Sequence, residues 1–258
     1  MAPNDPPAYE HRDRAESFGA VADQYDRYRP SYPDQLIADL IDLDPEWTLD
    51  VACGTGKVAV PLLACGLAVL GVEVDPKMAE VARRHGIIVE IGSFEDWDDN
   101  GRTFDLITCG QGWHWIQPDV GAKKAARLLN AGGTLALFWN HGEVDGTIQR
   151  ELDEVYRQHA PELALDARKH KHDDATYVES LKASGGFADV RIQKYRWDAT
   201  LTSDEWIHRI ATHSDHLALA ETQRAELLDA VHEVIERHNG SITLRSGTHA
   251  IFARTPEK

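Results

Sequence analysis

Thr48-Leu-Asp-Val-Ala-Cys-Gly-Thr-Gly56 decides how the rest of this chain is read. Leu49 and Val51 flank Asp50 in a short apolar strand that breaks at Gly54-Thr55-Gly56, and a helix is expected from Lys57 to Ala64. Glycine at 54 and 56 permits positive φ and lets a ligand approach the backbone closely. The unpaired N–H groups where the helix begins favour a negative group there. Seventeen residues beyond Gly56 a second apolar run, Val69-Leu-Gly-Val72, ends in Glu73. A strand, glycine turn, helix and second strand closing on an acid describe a ribonucleoside pocket: the turn holds one end and the carboxylate takes the ribose hydroxyls.

Outward from that unit, strands and helices alternate. Asp75-Pro76 reads as the N-cap and first position of a helix that Gly86 closes. Ile87–Ile91 is a third strand and Phe104–Cys109 a fourth, emptying into Gly110-Gln-Gly-Trp-His-Trp115. A helix over 120–129 leads to a fifth strand, Thr134–Trp139. This alternation indicates a parallel, doubly wound α/β sheet with ligands outside the carboxyl ends of its strands. Later strands are expected at Val190–Trp197 and Thr248–Arg254, paired antiparallel at the sheet edge. The fold expected is thus a Rossmann-like, seven-stranded, mostly parallel sheet with an antiparallel C-terminal edge strand and a helical cap. Residues 1–15 read as a disordered tail and 16–258 as one domain. Its core would be 34–140, 174–197 and 246–256, and its substrate cap 16–33, 141–173 and 198–245.

Composition narrows the function. A formal charge of −16 over 258 residues argues against wrapping nucleic acid, which needs clustered Lys and Arg. Cys53, Cys65 and Cys109 lack metal-type spacing and read as reduced thiols, which with the absence of an apolar leader or a ~20-residue apolar span suggests a cytoplasmic address without membrane contact. His170 and His172 sit in a charged stretch that reads as a solvated loop, so no metal site is expected. Oligomeric state stays open between monomer and homodimer.

The order LDVACGTG, GVEVDP, GSFEDW, FDLITCGQGWHW, LLNAGGTLALF resembles the class I S-adenosylmethionine-dependent methyltransferases. Within them it is similar to the small-molecule branch that includes trans-aconitate methyltransferase. The resemblance implies S-adenosylmethionine as methyl donor, leaving as S-adenosylhomocysteine. Asp50, Ala52, Gly54 and Gly56 would surround its methionine end, with Gln111 beside them. Glu73 would take the ribose hydroxyls, Val74 beside it would also bind the cofactor, and Ser93, Phe94 and Glu95 would surround the adenine; many relatives carry Asp where Ser93 stands.

The implied reaction is methyl transfer to a small acceptor, O-methylation of a carboxylate or hydroxyl. His114, between Trp113 and Trp115, is the first candidate base and His141 the second, since imidazole titrates near neutral pH. Trp113 and Trp115 are candidate acceptor walls, because aromatic faces favour a sulfonium. Tyr25 and Arg29 belong to a segment, 17–32, that reads as a helix packed on the domain edge or as a lid whose Tyr25 and Arg29 face the ligand's carboxylate or the substrate. Arg29, Arg209 and Arg245 are candidate carboxylate ligands, and His213 and His216 also belong to the cap. Two alternatives remain: a nucleoside-binding protein without chemistry, and an NAD(P)-dependent oxidoreductase. Asp50 at the head of the turn disfavours the second by repelling a pyrophosphate. Cys109 follows Thr108 rather than the proline of cytosine-5 methyltransferases, and the loop Gly110–Trp113 lacks the Pro-Pro-Tyr of amine methylation.

Overall fold

The computed structural model describes residues 9, 16–166 and 174–257. Its centre is one seven-stranded sheet in the order β3-β2-β1-β4-β5-β7-β6. Strands β1 (Trp47–Val51), β2 (Ala68–Glu73), β3 (Ile88–Ile91), β4 (Phe104–Gly110) and β5 (Leu129–Val144) run parallel. β7 (Ser241–Arg254) pairs antiparallel with both β5 and β6 (Asp189–Thr202). This is the Rossmann-like sheet expected, with one difference of detail: β6 takes the edge and the C-terminal strand lies one place inside it.

Alternation along the strands sends side chains into two layers. On one face Leu49, Val51, Ile107, Leu135, Leu137 and Trp139 form a core. It packs beneath helices α5 (Pro118–Leu128) and α8 (Asp174–Ala183) through such residues as Ala125 and Leu181. On the other face Leu106, Ala136, Phe138 and Phe252 meet Leu36, Leu40, Leu62 and Ala79. Those four come from helices α2 (Asp34–Ile41), α3 (Ala59–Ala64) and α4 (Pro76–Arg84). The expected cap on α4 is present: Asp75 accepts from Lys77 N at 2.8 Å and Met78 N at 3.3 Å, with Pro76 at the first helical position.

Sequence reading placed the ends of β5 and β7 wrongly. β5 continues through Asn140, His141 and Gly142 to Val144, and β7 begins at Ser241 rather than Thr248. Polar and glycine residues there look like loop, but each strand supplies the other's hydrogen bonds: His141 pairs with Gly247 and Val144 with Leu244. β6 follows β7 for its whole length, from Asp189–Arg254 to Thr202–Ser241. The outcome is a long three-stranded platform projecting past the parallel sheet.

That platform carries its own core. Ile242 joins Leu152, Leu163, Ile210, Leu227, Val231, Val234 and Ile235. These come from helices α6 (Gly146–His159), α7 (Pro161–Asp166), α9 (Ser203–Ile210) and, after the short α10 (Ser214–Leu217), α11 (Glu221–Arg237). The apolar stripe Leu227, Val231, Val234 and Ile235 of α11 is therefore buried. The expected N-terminal helix is divided into a 3₁₀ segment, Glu16–Val21, and α1 (Ala22–Tyr28). His170 and His172 lie outside the described residues.

Thr202 and Glu205 form a capping box at α9: Thr202 Oγ1 accepts Glu205 N–H at 3.2 Å, and Glu205 Oε2 accepts Thr202 N–H at 2.9 Å. Replacing Thr202 by Ala should lower stability by about 1 kcal/mol, seen as a lower urea midpoint at unchanged slope.

Candidate functional site

A cleft of about 270 Å³ opens where the carboxyl ends of β1 and β4 face the platform and α9. Its floor is the glycine bend, contributed by Asp50, Ala52, Gly54 and Thr55, together with Gln111 after β4. Gly54 and Gly56 have φ of 56° and 91°, as the turn reading required. Ala52 and Gln111 adopt the same left-handed region at 52° and 59°. For residues with a Cβ this costs on the order of 1–3 kcal/mol. Both sit where parallel strands must turn away from the sheet. A Cβ on Gly112 would come within 2.7 Å of the Ala52 Cβ, so the two turns are pressed together.

Two buried carboxyls converge on the bend. Glu73 Oε2 accepts the Gly54 N–H at 2.8 Å and its Oε1 the Asp75 N–H at 2.9 Å. Burial raises the Glu73 pKa, and those two N–H groups oppose the rise. Asp50 Oδ1 accepts the Thr108 hydroxyl at 2.8 Å, while Oδ2 is buried and finds no hydrogen bond of good geometry among the described residues. Burial pushes the Asp50 pKa up to about 7, against the Thr108 bond and the Ala59 N–H. A buried acid with an unsatisfied oxygen in a cleft wall is a place for a cation. The donor set therefore fits an ammonium-bearing ligand laid along the bend.

The opposite wall is basic and aromatic: Tyr25, Arg29, Tyr32, His141, Trp206, Arg209 and His213. Arg29 is fixed by Thr212, its Nε donating to Oγ1 at 2.8 Å and its Nη2 to the carbonyl at 3.1 Å. Its guanidinium lies 5.1 Å from the Tyr25 ring centre. The lid reading of the N-terminal segment acquires anchors: Gly19 N–H donates to Asp75, Asp26 contacts His85 at 2.8 Å, and Tyr28 stacks on His208 at 4.4 Å. His141 has its pKa lowered by burial, and further by His249, 4.4 Å away ring to ring. His249 in turn contacts Asp174 at 3.0 Å.

The other expected site residues lie elsewhere. Trp113 is 1 % exposed and packs in the core beside Phe94, with ring centres 6.1 Å apart, so it is corrected from acceptor wall to core. His114 packs on Trp115 at 4.8 Å, and Trp115 meets Phe18 edge-on at 6.5 Å. Neither lines the cleft, and Trp115 instead contacts the N-terminal segment. Ser93 donates to Asp96 at 2.9 Å and Glu95 accepts the Gln117 N–H at 2.9 Å, which shapes their loop. Val74, half-buried, follows Glu73 at the end of β2. Arg245 is exposed and does not line the cleft. Cys109 is buried, and Asp145 caps α6 through the Thr147 N–H at 2.9 Å.

Tyr32, Lys57 and Trp206 line the cleft without having been anticipated. Lys57 stands where the sequence predicts the start of a helix; the helix itself begins at Ala59. His213, Asp215 and His216 lie close enough together to suggest a metal site. Both His216 nitrogens are already engaged, Nδ1 with Asp215 at 2.7 Å and Nε2 with the Tyr156 hydroxyl at 2.8 Å. Two neighbouring arginines also disfavour a cation there.

The sheet order and the acid-flanked glycine bend match the Rossmann-like fold of methyltransferases. Residues 48–133 match the family described as a methyltransferase domain. An uncharacterized methyltransferase of Mycobacterium tuberculosis is 29% identical over 229 residues, 88% of each chain. A ubiquinone biosynthesis O-methyltransferase of Xanthomonas oryzae is 30% identical over 145 residues, 49% of this chain and 60% of its own. Among solved structures, a protein provisionally named a type II methyltransferase, from Anaeromyxobacter dehalogenans, aligns with TM-score 0.60 at 19% identity, over 90% of this chain and all of its own. A Haemonchus contortus phosphoethanolamine N-methyltransferase aligns with TM-score 0.56 at 17% identity, over 99% of this chain and 61% of its own. At such identities the solved structures speak for the fold alone. The chain is thus similar in sequence to methyltransferases and shares their Rossmann-like fold.

The raised pKa of Asp50 fixes a pH dependence for the ligand-free protein. Below pH 4 the carboxyl is protonated in both folded and unfolded chains, so it costs nothing. Between about 4 and 7 only the unfolded chain ionises, and stability falls as pH rises. Asp50→Asn should flatten that window and be the more stable form above pH 7, as read from urea midpoints across pH.

Proposed function

We propose that this protein transfers a methyl group from S-adenosylmethionine to an oxygen, carboxylate or hydroxyl, of a small acceptor held in the cleft. The observation that carries this reading is Asp50, a buried acid with an unsatisfied oxygen beneath a left-handed bend. When bound, S-adenosylmethionine supplies a sulfonium methyl whose departure leaves a neutral thioether. Asp50 would attract the ammonium of its amino-acid end, while Ala52, Gly54, Gly56 and Gln111 would offer close backbone approach. Glu73, joined to the bend through Gly54, would turn its carboxylate to the ribose. Val74, Ser93, Phe94 and Glu95 would border the adenine, Phe94 from within the core cluster.

For the acceptor, the platform, α9 and the N-terminal segment act as the cap. Enclosure there excludes water and aligns the reacting oxygen, which supplies most of what a displacement at a methyl group needs. A carboxylate acceptor requires no base; a hydroxyl acceptor does. His141 is the better base, because it lines the cleft and its lowered pKa keeps it neutral and able to accept a proton. His114 lies off the cleft lining and keeps a supporting role beside Trp115. The methyltransferases among its relatives, one an O-methyltransferase by name, support this reading.

Calorimetry should show S-adenosylhomocysteine binding in 1:1 ratio and NAD⁺ failing to bind, with Glu73→Ala weakening the former by about 1–3 kcal/mol. His141→Ala should lower turnover of hydroxyl acceptors while leaving S-adenosylhomocysteine affinity and carboxylate turnover nearly unchanged. Tight S-adenosylhomocysteine binding without product from any acid or phenol would favour the non-catalytic alternative, and unchanged affinity in Glu73→Ala would move the ribose elsewhere.

A further inference from the structure

Arg29 and Arg209 share one wall of the cleft, yet no carboxylate of the described residues lies within ion-pair distance of either guanidinium. Arg29 spends Nε and one Nη2 hydrogen on Thr212, and no partner engages its Nη1 among the described residues. Among the described residues the Arg209 guanidinium has only the Trp206 ring beside it, 5.8 Å from its carbon. Asp215, the acidic neighbour of Arg29, is held by the His216 ring and backbone N–H, each at 2.7 Å. Both guanidinia keep surface toward the cleft and are otherwise enclosed. Enclosure lowers both pKa values, that of Arg209 to about 10, with repulsion from Arg29 adding to it. Two enclosed like charges without a counter-ion are unfavourable by themselves, in a chain whose net charge of −16 would otherwise repel anions.

We propose that Arg29 and Arg209 form a clamp for a carboxylate of the methyl acceptor, and that this carboxylate anchors the molecule rather than receiving the methyl group. The proposal rests on the methyl-transfer reading above and names its substrate class: small molecules with one carboxylate to be gripped and a second oxygen to be methylated. The guanidinium fork matches the planar, two-oxygen face of a carboxylate. A carboxylate whose lone pairs are taken up by two guanidinia is a weakened nucleophile, and esterifying it would abolish the charge that holds it. The cleft is polarised to suit, with Asp50 at the bend and the arginines at the cap, so an anionic acceptor enters with its anchor away from Asp50. His213 Nε2, buried without a hydrogen bond in the same wall, gives that end a further polar atom.

The test begins with full-length protein saturated with S-adenosylhomocysteine, titrated calorimetrically with acetate, benzoate, succinate and tricarballylate, and with succinamide and inorganic phosphate as controls. At least one carboxylate should bind saturably and succinamide should not. R209Q should weaken the best carboxylate by about tenfold or more, while S-adenosylhomocysteine affinity changes less than about twofold. R209K should recover only part of the loss, because a point charge replaces a fork. R29Q is the second variant, with circular dichroism to confirm that loss of the Thr212 contacts has not unfolded the cap. Absence of carboxylate binding to the loaded protein, equal binding of succinamide, equal or tighter binding of phosphate, or an unaffected R209Q would each overturn the clamp. With S-adenosylmethionine in place of the product, a methyl ester formed from acetate or benzoate would overturn the anchor role. Failure of S-adenosylhomocysteine itself to bind would count against the methyl-transfer reading instead, and the carboxylate titrations would then be read on the unloaded protein.

Discussion

Glu73 reaches from the end of β2 to the bend after β1 and accepts the Gly54 N–H at 2.8 Å, while Asp50 stands buried at the head of the same bend. Much of the site depends on these two carboxyls meeting a backbone turned left-handed at Ala52, Gly54 and Gly56. The hydrogen bond supports a bend that the parallel strands alone do not specify. The two acids are buried, and their pKa values are raised by that burial, so a cation placed beside them would favour their ionised forms at short range with little screening. An ammonium is the natural complement; a pyrophosphate is not. Glycine bends of this kind otherwise serve many ligands, so the acids carry the discrimination.

The other wall is made by elements distant in sequence. The β5–β7–β6 platform extends the sheet beyond its parallel part and gives the cap helices a surface on which to bury Ile210, Leu227, Val231 and Ile235. The N-terminal segment spans core and cap, bonded to Asp75 on one side and stacked on His208 on the other. Arg29 closes that circuit through Thr212. The cleft thus lies between a rigid acidic floor and a basic roof assembled from α1, α9 and the strand ends, and a bound molecule would touch all of them.

The parallel half was legible because β1, β2, β4 and the middle of β5 are largely buried on both faces and read as apolar runs bounded by glycine, proline or aspartate. The platform was not. Asn140, His141, Gly142, Ser246 and Gly247 look like loop, and they are strand because their partners across the ladder satisfy them. The same limit governed the site. Asp50, Ala52, Gly54 and Gln111, which the resemblance implied, line one cleft with Tyr25, Arg29 and His141, whereas Trp113 and His114, adjacent in the chain, do not line it. A 3₁₀ turn at Trp113–Trp115 aims the first indole into the core, and no periodicity in three residues foretells that.

By itself the sequence determined the strand–bend–strand unit, the two acids and the direction in which the sheet presents a ligand. Those features follow from backbone preference and local apolar pattern, which neighbouring residues set. Only the tertiary structure decided that Arg29 and Arg209, 180 positions apart, share a wall, that His141 rather than His114 enters the cleft, and that Trp113 is core. Such juxtapositions come from the packing of cap on platform, where burial of apolar surface fixes position and the charged groups are carried along.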